Sequence, residues 1–485
     1  MRRKRLNLSF DESFLTYMLK RLIRTIVLIC ATSPLATQVF AADMLAAEVQ
    51  VQEKQQSLVD IYSQALAHDP TLASALSANQ AAQELIEQGK ALYRPTVNFS
   101  AGANASQTDI KYIGAGTPFR AGQANFEGYN YGVDARQPIF RKQNLVQMDQ
   151  AKTQVSQADK QLALSQQELI LRTTQSYFDV LIAQDKIDLI IAQKAAILSQ
   201  LDQANANFEV GTATITDVNE AQARYDLSVA QEIAAVNEHQ VAKRAVQAIT
   251  GEIPQKLATV KADIKTNRLE QSMDKWLEVA AKNNLNIQIE QDTVKFAKQE
   301  IERARAGHLP TLDAVASYSD TYANGSPNVF GSDLKNGTIG LQLQLPLYEG
   351  GATSSRVRQA VLNKQKAQDD VEIARRKTEL ETQRAYLNLS TSIAQVKAYE
   401  QALISSQSQV DSTKLGYEVG VRTSVDVLNA QQQFFSAKRD LLQSRYNYLV
   451  NIIRLKAASG IVVEADLVDI NQQLIVTNGH EYGTY

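Results

Sequence analysis

Phe208-Glu209-Val210-Gly211-Thr212-Ala213-Thr214-Ile215-Thr216-Asp217-Val218 reads, position for position, onto Tyr417-Glu418-Val419-Gly420-Val421-Arg422-Thr423-Ser424-Val425-Asp426-Val427. Each copy closes one very long run and opens another. Residues 141–210 and 352–415 contain neither proline nor glycine. At a rise of 1.5 Å per residue these runs predict helices of roughly 105 and 95 Å. Ordinary helices are about three turns long, so the pattern implies coiled coils or a helical tube. A duplicated pair of such hairpins serves to span a distance.

Inside each copy the local grammar is that of a helix end followed by a helix start. Gly211 and Gly420 stand where a C-terminal cap needs a left-handed residue. Thr214-Ile215-Thr216-Asp217 and Thr423-Ser424-Val425-Asp426 match the Ser/Thr-x-x-acid box that opens a helix. A carboxylate there meets the positive end of the helix dipole, so Asp217 and Asp426 have a plain structural role as caps. The copies also differ. Tyr417 replaces Phe208, Arg422 replaces Ala213, and Thr216 stands where the second copy has Val425. Donors gathered on one tip and acceptors on the other suit a hydrogen-bonded latch. Cap and latch both remain open readings of these residues.

The second long run carries heptad spacing at Leu389, Val396, Leu403 and Val410, and at Tyr386 and Ile393, which marks packing against a neighbouring helix. Between the helical runs the period changes to two. Val97, Phe99, Ala101, Ala103 and Ala105 alternate with Asn98, Ser100, Gly102, Asn104 and Ser106. Tyr129, Tyr131, Val133 and Ala135 alternate with Asn130, Gly132, Asp134 and Arg136. In the second half Leu312, Ala314, Ala316 and Tyr318 alternate with Asp313, Val315, Ser317 and Ser319, where Val315 is the one imperfect position. Ile339, Leu341, Leu343 and Leu345 alternate with Gly340, Gln342 and Gln344. Runs of about ten residues with one apolar and one polar face fit tilted membrane strands. Soluble hairpins packed on helices would alternate too. Segments 113–125 and 323–335 are rich in turn residues and read as hairpin loops. Pro95, Pro310, Pro138 and Pro346 are expected to stop the ladder at the strand ends. Four strands cannot close a barrel, and lipid tolerates no open sheet edge, so a membrane reading requires strands pooled from several chains.

The N-terminus reads as an export signal. Lys20, Arg21 and Arg24 precede the apolar run Thr25–Ala31, and Val39-Phe40-Ala41 supplies a small-residue cleavage pattern. Met18 is an alternative start, because Met1 gives a long leader carrying Asp11 and Glu12. The only cysteine, Cys30, lies within this segment, so a disulfide scaffold, thiol nucleophile or thiolate metal site is not expected in the mature chain. Ile29 before it argues against a lipid anchor, which needs a small residue there. Fifty basic against 52 acidic residues give a net charge of −2 and no sign of a nucleic-acid partner. His68, His239, His308 and His480 lack metal-ligand spacing, Gly114-Ala115-Gly116 lacks the third glycine of a dinucleotide loop, and no nucleophile motif is present. The residues predict neither an enzyme nor a cofactor.

Several stretches together carry a family resemblance: Gln200-Leu201-Asp202-Gln203, Gly211 through Val218, Gly307-His308-Leu309-Pro310-Thr311-Leu312-Asp313, Leu345-Pro346-Leu347-Tyr348-Glu349-Gly350-Gly351, Gly416 through Leu428, and Arg445-Tyr446-Asn447-Tyr448-Leu449. In order and spacing, over essentially the whole mature chain, they resemble the TolC family of outer-membrane efflux proteins, the exit ducts of Gram-negative tripartite pumps and type I secretion systems. The resemblance implies an α+β membrane protein. Three chains would give four strands each to a twelve-stranded outer-membrane barrel, continuous with a long periplasmic α-helical barrel and a mixed α/β equatorial belt. It implies a signal peptide at 1–41, a first repeat at 42–250, an equatorial linker at 251–285, a second repeat at 286–460 and a C-terminal equatorial segment at 461–485. The implied partners are two further copies of the chain, outer-membrane lipid, a periplasmic adaptor and an inner-membrane pump or ABC transporter. The cargo would be drugs, toxic compounds and secreted proteins, passed unchanged.

By the same resemblance Thr216 and Asp217 on one tip, with Tyr417 and Arg422 on the other, form a closed-state latch. Gln200 matches a further tether, although the family's acidic partner is replaced by Lys414. Asp426 matches an acidic ring at the periplasmic mouth, and the second ring position is Asn429, a neutral residue one turn on. A periplasmic adaptor is the alternative, but it would show one hairpin and no amphipathic strands. A coiled-coil spacer would not need the strand pairs.

Overall fold

The computed structural model describes residues 55–475 apart from 112, 114–120, 262, 263, 265, 267, 268, 270 and 327–329. The export signal, Cys30 and the cleavage pattern lie outside the described residues, as do parts of both hairpin loops. Ser57 opens α1 (Leu58–His68) with a capping box. Asp69 caps α2 (Pro70–Ala91), accepting from the Leu72 N–H at 2.7 Å, with Pro70 at the first helical position, where no N–H is needed.

Strands β1 (Thr96–Ile110) and β2 (Gly122–Phe140) follow, then the hairpin α3 (Lys142–Glu209) and α4 (Ile215–Thr250). A short strand β3 (Thr259–Val260) precedes α5 (Met273–Asn283) and α6 (Leu285–Arg305). The second half repeats the order with β4 (Thr311–Ala323), β5 (Ser332–Gln344), α7 (Ala352–Glu418) and α8 (Ser424–Ala458). It ends in α9 (Glu464–Asn471) and β6 (Leu474–Ile475). The runs free of proline and glycine are continuous helices of 68 and 67 residues, each about 100 Å long. No helix among the described residues is long and apolar enough to cross a membrane.

The long strands form one antiparallel sheet in the order β1-β2-β4-β5, so the two halves meet through β2 and β4. Cross-strand neighbours share a face. Val97, Ala135, Ala316 and Ile339 make one apolar row, and Phe99, Val133 and Tyr318 make the next. Asn98, Asp134, Ser317 and Thr338 make a polar row on the other face. The apolar face is uncovered in the single chain, with Phe99 70% and Ile339 90% exposed. Beyond the alternation read from the sequence this face carries Asp320, which accepts a hydrogen bond from the Tyr131 hydroxyl at 2.7 Å. Val315 lies in a polar-face row between Arg136 and Gly340.

Two expectations about the strands need correction. They run for 15, 19, 13 and 13 residues rather than about ten. The ladder continues through polar residues such as Gln107, Thr108 and Asp109, because backbone pairing needs no apolar side chain. Pro138 also does not stop β2. The β1 ladder ends at Arg136, whereas pairing with β4 continues past Pro138 to Phe140 through a register shift that absorbs the missing N–H.

Where the sheet turns into helix, buried Asp313 on β4 takes a two-point bond from Arg141, Nε to Oδ1 at 2.8 Å and Nη2 to Oδ2 at 2.5 Å. Arg136 stands 3.9 Å from the same carboxylate. Arg141 is the residue immediately before α3, so this ion pair fixes the long helix to the neighbouring strand hairpin.

At mid-length the core thickens. Strands β3 and β6 pair antiparallel, and Gln56 bridges to Leu257 in parallel. Around them Leu58, Ile61, Tyr177, Phe178, Leu449, Ile453 and Leu467 are fully buried, and the Tyr177 hydroxyl donates to Ala258 O at 2.8 Å. These residues come from both long hairpins, from the 251–285 and post-460 segments, and from α1, which the sequence reading leaves in the first repeat. The heptad residues Leu389 and Val396 are buried in the same cluster. Gly460 turns with φ 74° against α5, where a Cβ would lie 2.6 Å from Asn283 O. No other residue fits there.

Candidate gate at the helix tips

Both tips are built by the grammar read from the sequence. Gly211 and Gly420 have φ of 80° and 79°. At the first tip the Thr212 and Ala213 N–H groups both reach Asn207 O, at 2.8 and 3.2 Å. At the second, those of Val421 and Arg422 reach Gly416 O at 2.8 and 3.0 Å. Two capping boxes then start α4 and α8. Thr214 Oγ1 accepts from the Asp217 N–H at 3.3 Å, and Thr423 Oγ1 accepts from that of Asp426 at 3.2 Å. In return Asp217 Oδ2 takes the Thr214 N–H and hydroxyl, and Asp426 Oδ2 takes those of Thr423. The caps therefore use one oxygen of each carboxylate. The Thr423 N–H first, then the Thr423 hydroxyl and the Arg422 charge, hold the Asp426 carboxyl below its ordinary range.

The single chain brings only some of the latch residues together. The Tyr417 hydroxyl accepts from Asn207 Nδ2 at 2.9 Å, and its partner is not on the Asp217 cap. Gln200, buried, donates to Ser424 Oγ at 3.1 Å, so this tether engages the first residue of α8 and bypasses the position of Lys414. Thr216 and the Arg422 side chain are exposed, and the Arg422 stem lies over Gly416. Asn429 does not stand alone: its Oδ1 accepts from Arg224 Nη2 of α4 at 2.9 Å. Below these polar links Ile197 and Leu201 of α3, Ala221 of α4 and Leu428 of α8 form a small buried cluster.

Sequence reasoning misses three of these partners. Asn207 was within reach, because it sits one residue before the duplication and aligns with Gly416. Arg224 is the only basic residue between 215 and 231 and lies one turn beyond Glu220. Ser424 carried no signal beyond its place in the capping box.

The chain as a whole has relatives among known proteins. The model of the outer membrane efflux protein family (OEP) fits residues 61–252 and 276–461. The chain is 34% identical to outer membrane protein TolC of Vibrio cholerae over 426 residues, covering 87% of this chain and 94% of that one. It is 29% identical to the proteases secretion protein PrtF of Dickeya chrysanthemi, covering 85% and 90%. The Campylobacter jejuni CmeC outer membrane channel superposes with a TM-score of 0.72 at 16% identity, covering 91% and 97%. Fold and relatives together define an outer-membrane channel protein of the efflux and secretion type. The chain belongs to the outer membrane efflux protein family.

Proposed function

We propose that three copies of the chain close a twelve-stranded barrel in the outer membrane and continue as a periplasmic helical tube. Drugs, toxic compounds and secreted proteins pass through it unchanged. The observation that carries this reading is the open sheet. Strands β1 and β5 have no further strand beside them among the described residues, and an apolar face is left bare. In lipid every strand edge has to be paired, and pooling strands between chains achieves that. An adaptor and an inner-membrane pump or ABC transporter deliver the cargo, and the helix tips are the gate that they open.

At that gate the cap leaves Asp217 Oδ1 as the oxygen for a guanidinium from the neighbouring chain, and Arg422 is the exposed donor. A charge-assisted bond is worth about 1.5–3 kcal/mol when shielded, and less at an exposed tip, so three copies bias the tube shut without locking it. Asn207–Tyr417 and Gln200–Ser424 hold each chain's tips in register for that contact. Asp426 side chains converging at the mouth would repel one another and raise the local affinity for cations.

The test is single-channel recording from outer-membrane extracts. Tyr417→Phe with Arg422→Ser should raise resting conductance, and Asp426→Ala should abolish block by multivalent cations from the periplasmic side. Unchanged conductance counts against the latch, and equal block of both proteins reduces Asp426 to a cap. Cross-linking that traps only dimers removes the barrel reading.

A further inference from the structure

Arg224 lies on α4, three turns in from the first tip, and its guanidinium is held by acceptors on two helices. Nη1 donates to Gln432 Oε1 at 3.0 Å, and Nη2 donates to Asn429 Oδ1 and Glu220 Oε1, each at 2.9 Å. Asn429 and Gln432 are one turn apart on α8, so a planar fork meets two amide oxygens on one helix face. Glu220, one turn back on α4, holds the fork at that height.

The site sits where the two hairpins of one chain touch. Ala221, the neighbour of Glu220, packs with Ile197, Leu201 and Leu428. Just above, Arg224 and Gln431 line a cavity of about 50 Å³. Gln431 is buried, and its Oε1 has no partner among the described residues. The joint thus combines a small apolar cluster with polar links beside a cavity.

We propose that Arg224 straps α4 to α8 within each chain and sets the charge of the layer behind Asp426. This rests on the tips being the gate. Asn429 is then no neutral ring of its own, since a guanidinium stands on its carbonyl oxygen. Because the α8 acceptors are neutral amides, the strap has direction but no salt bridge across the joint, and it can part when the tips separate. Glu220 already pairs with the guanidinium, so a carboxylate at position 429 would share Arg224 with it, tightening the joint and screening part of its own charge.

Spin labels at Ala223→Cys and Gln433→Cys test this on the assembled channel, alongside conductance and block by a trivalent cation. Both positions are exposed, and the chain's only other cysteine is Cys30. Arg224→Gln should broaden the α4–α8 distance distribution and raise resting conductance severalfold. Arg224→Lys should broaden the distances while leaving block as in wild type, because it keeps the charge and loses the fork. Asn429→Asp alone should narrow the distances and strengthen block only slightly, whereas Asn429→Asp with Arg224→Gln should block severalfold more strongly. Distances unchanged in Arg224→Gln overturn the strap. Block as strong in Asn429→Asp as in the double variant overturns the charge assignment. Broadened distances with unchanged conductance support the strap and count against the tips as the gate.

Discussion

At the first tip the carbonyl that collects the turn's N–H groups belongs to Asn207, and at the second it belongs to Gly416. Everything else in the two backbones matches, down to the left-handed glycine and the capping box. The turn uses only the carbonyl of that residue, so its side chain was free to diverge. Asn207 spends its amide on Tyr417, tying the first tip to the second. Gly416 has no side chain, and the space it leaves is filled by the stem of Arg422. Duplicated local grammar thus fixes two equal turns, and side-chain divergence at Asn207/Gly416 and Phe208/Tyr417 makes one of them a donor arm and the other its anchor.

The sharpest way to break this contrast is Gly416→Asn, which gives the second tip the residue of the first. A Cβ at 416 would lie 2.7 Å from Arg422 Cγ, so the stem has to swing away while the turn is kept. Resting conductance should rise as far as it does in Arg422→Ser. Wild-type conductance in Gly416→Asn would show that the bare glycine is not what places Arg422.

A smaller effect is expected at the tie itself. Asn207→Ala and Tyr417→Phe should each weaken the tip by about 0.5–1.5 kcal/mol, read by hydrogen exchange of the tip amides. The double variant should lose no more than either single one, because both remove the same bond. Additive losses would mean that the two residues act on separate contacts.

The smallest effect concerns acid. Thr423 and Arg422 hold the Asp426 carboxyl below its ordinary 3.8. A depressed acid stabilises the fold fully above its ordinary value and loses that contribution as pH falls through the depressed one. Exchange at the Asp426 and Val427 amides should stay slow through the ordinary carboxylate range and quicken only below it. Arg422→Ser should move that midpoint upward. Quickening already in the ordinary range would remove the cap's electrostatic component.

The long helices and both tips were legible because their signals are local: absent proline and glycine, a cap four residues wide. Strand centres were legible for the same reason, whereas strand ends were not, since polar residues at the rim are held by pairing alone. The tip partners were hidden by distance. Asn207–Tyr417, Gln200–Ser424 and Arg224–Asn429 lie 210, 224 and 205 residues apart. Their meeting depends on how two 100 Å helices are phased against each other, a register that heptad spacing alone leaves open by whole turns. Asp313 stood within the family resemblance, but its pairing with Arg141 across 172 residues appeared only in the fold.

The bare edges of the sheet have a genetic meaning on the trimeric reading. Chains would draw partners at random from a common pool, and one chain with a crippled β1 or β5 edge would leave two sound neighbours unable to close. In a cell making equal amounts of sound and crippled chain, only about one assembly in eight would be wholly sound. Edge lesions in this protein would therefore behave as dominant alleles in a merodiploid, while lesions that merely empty the unassembled chain from the pool would be recessive.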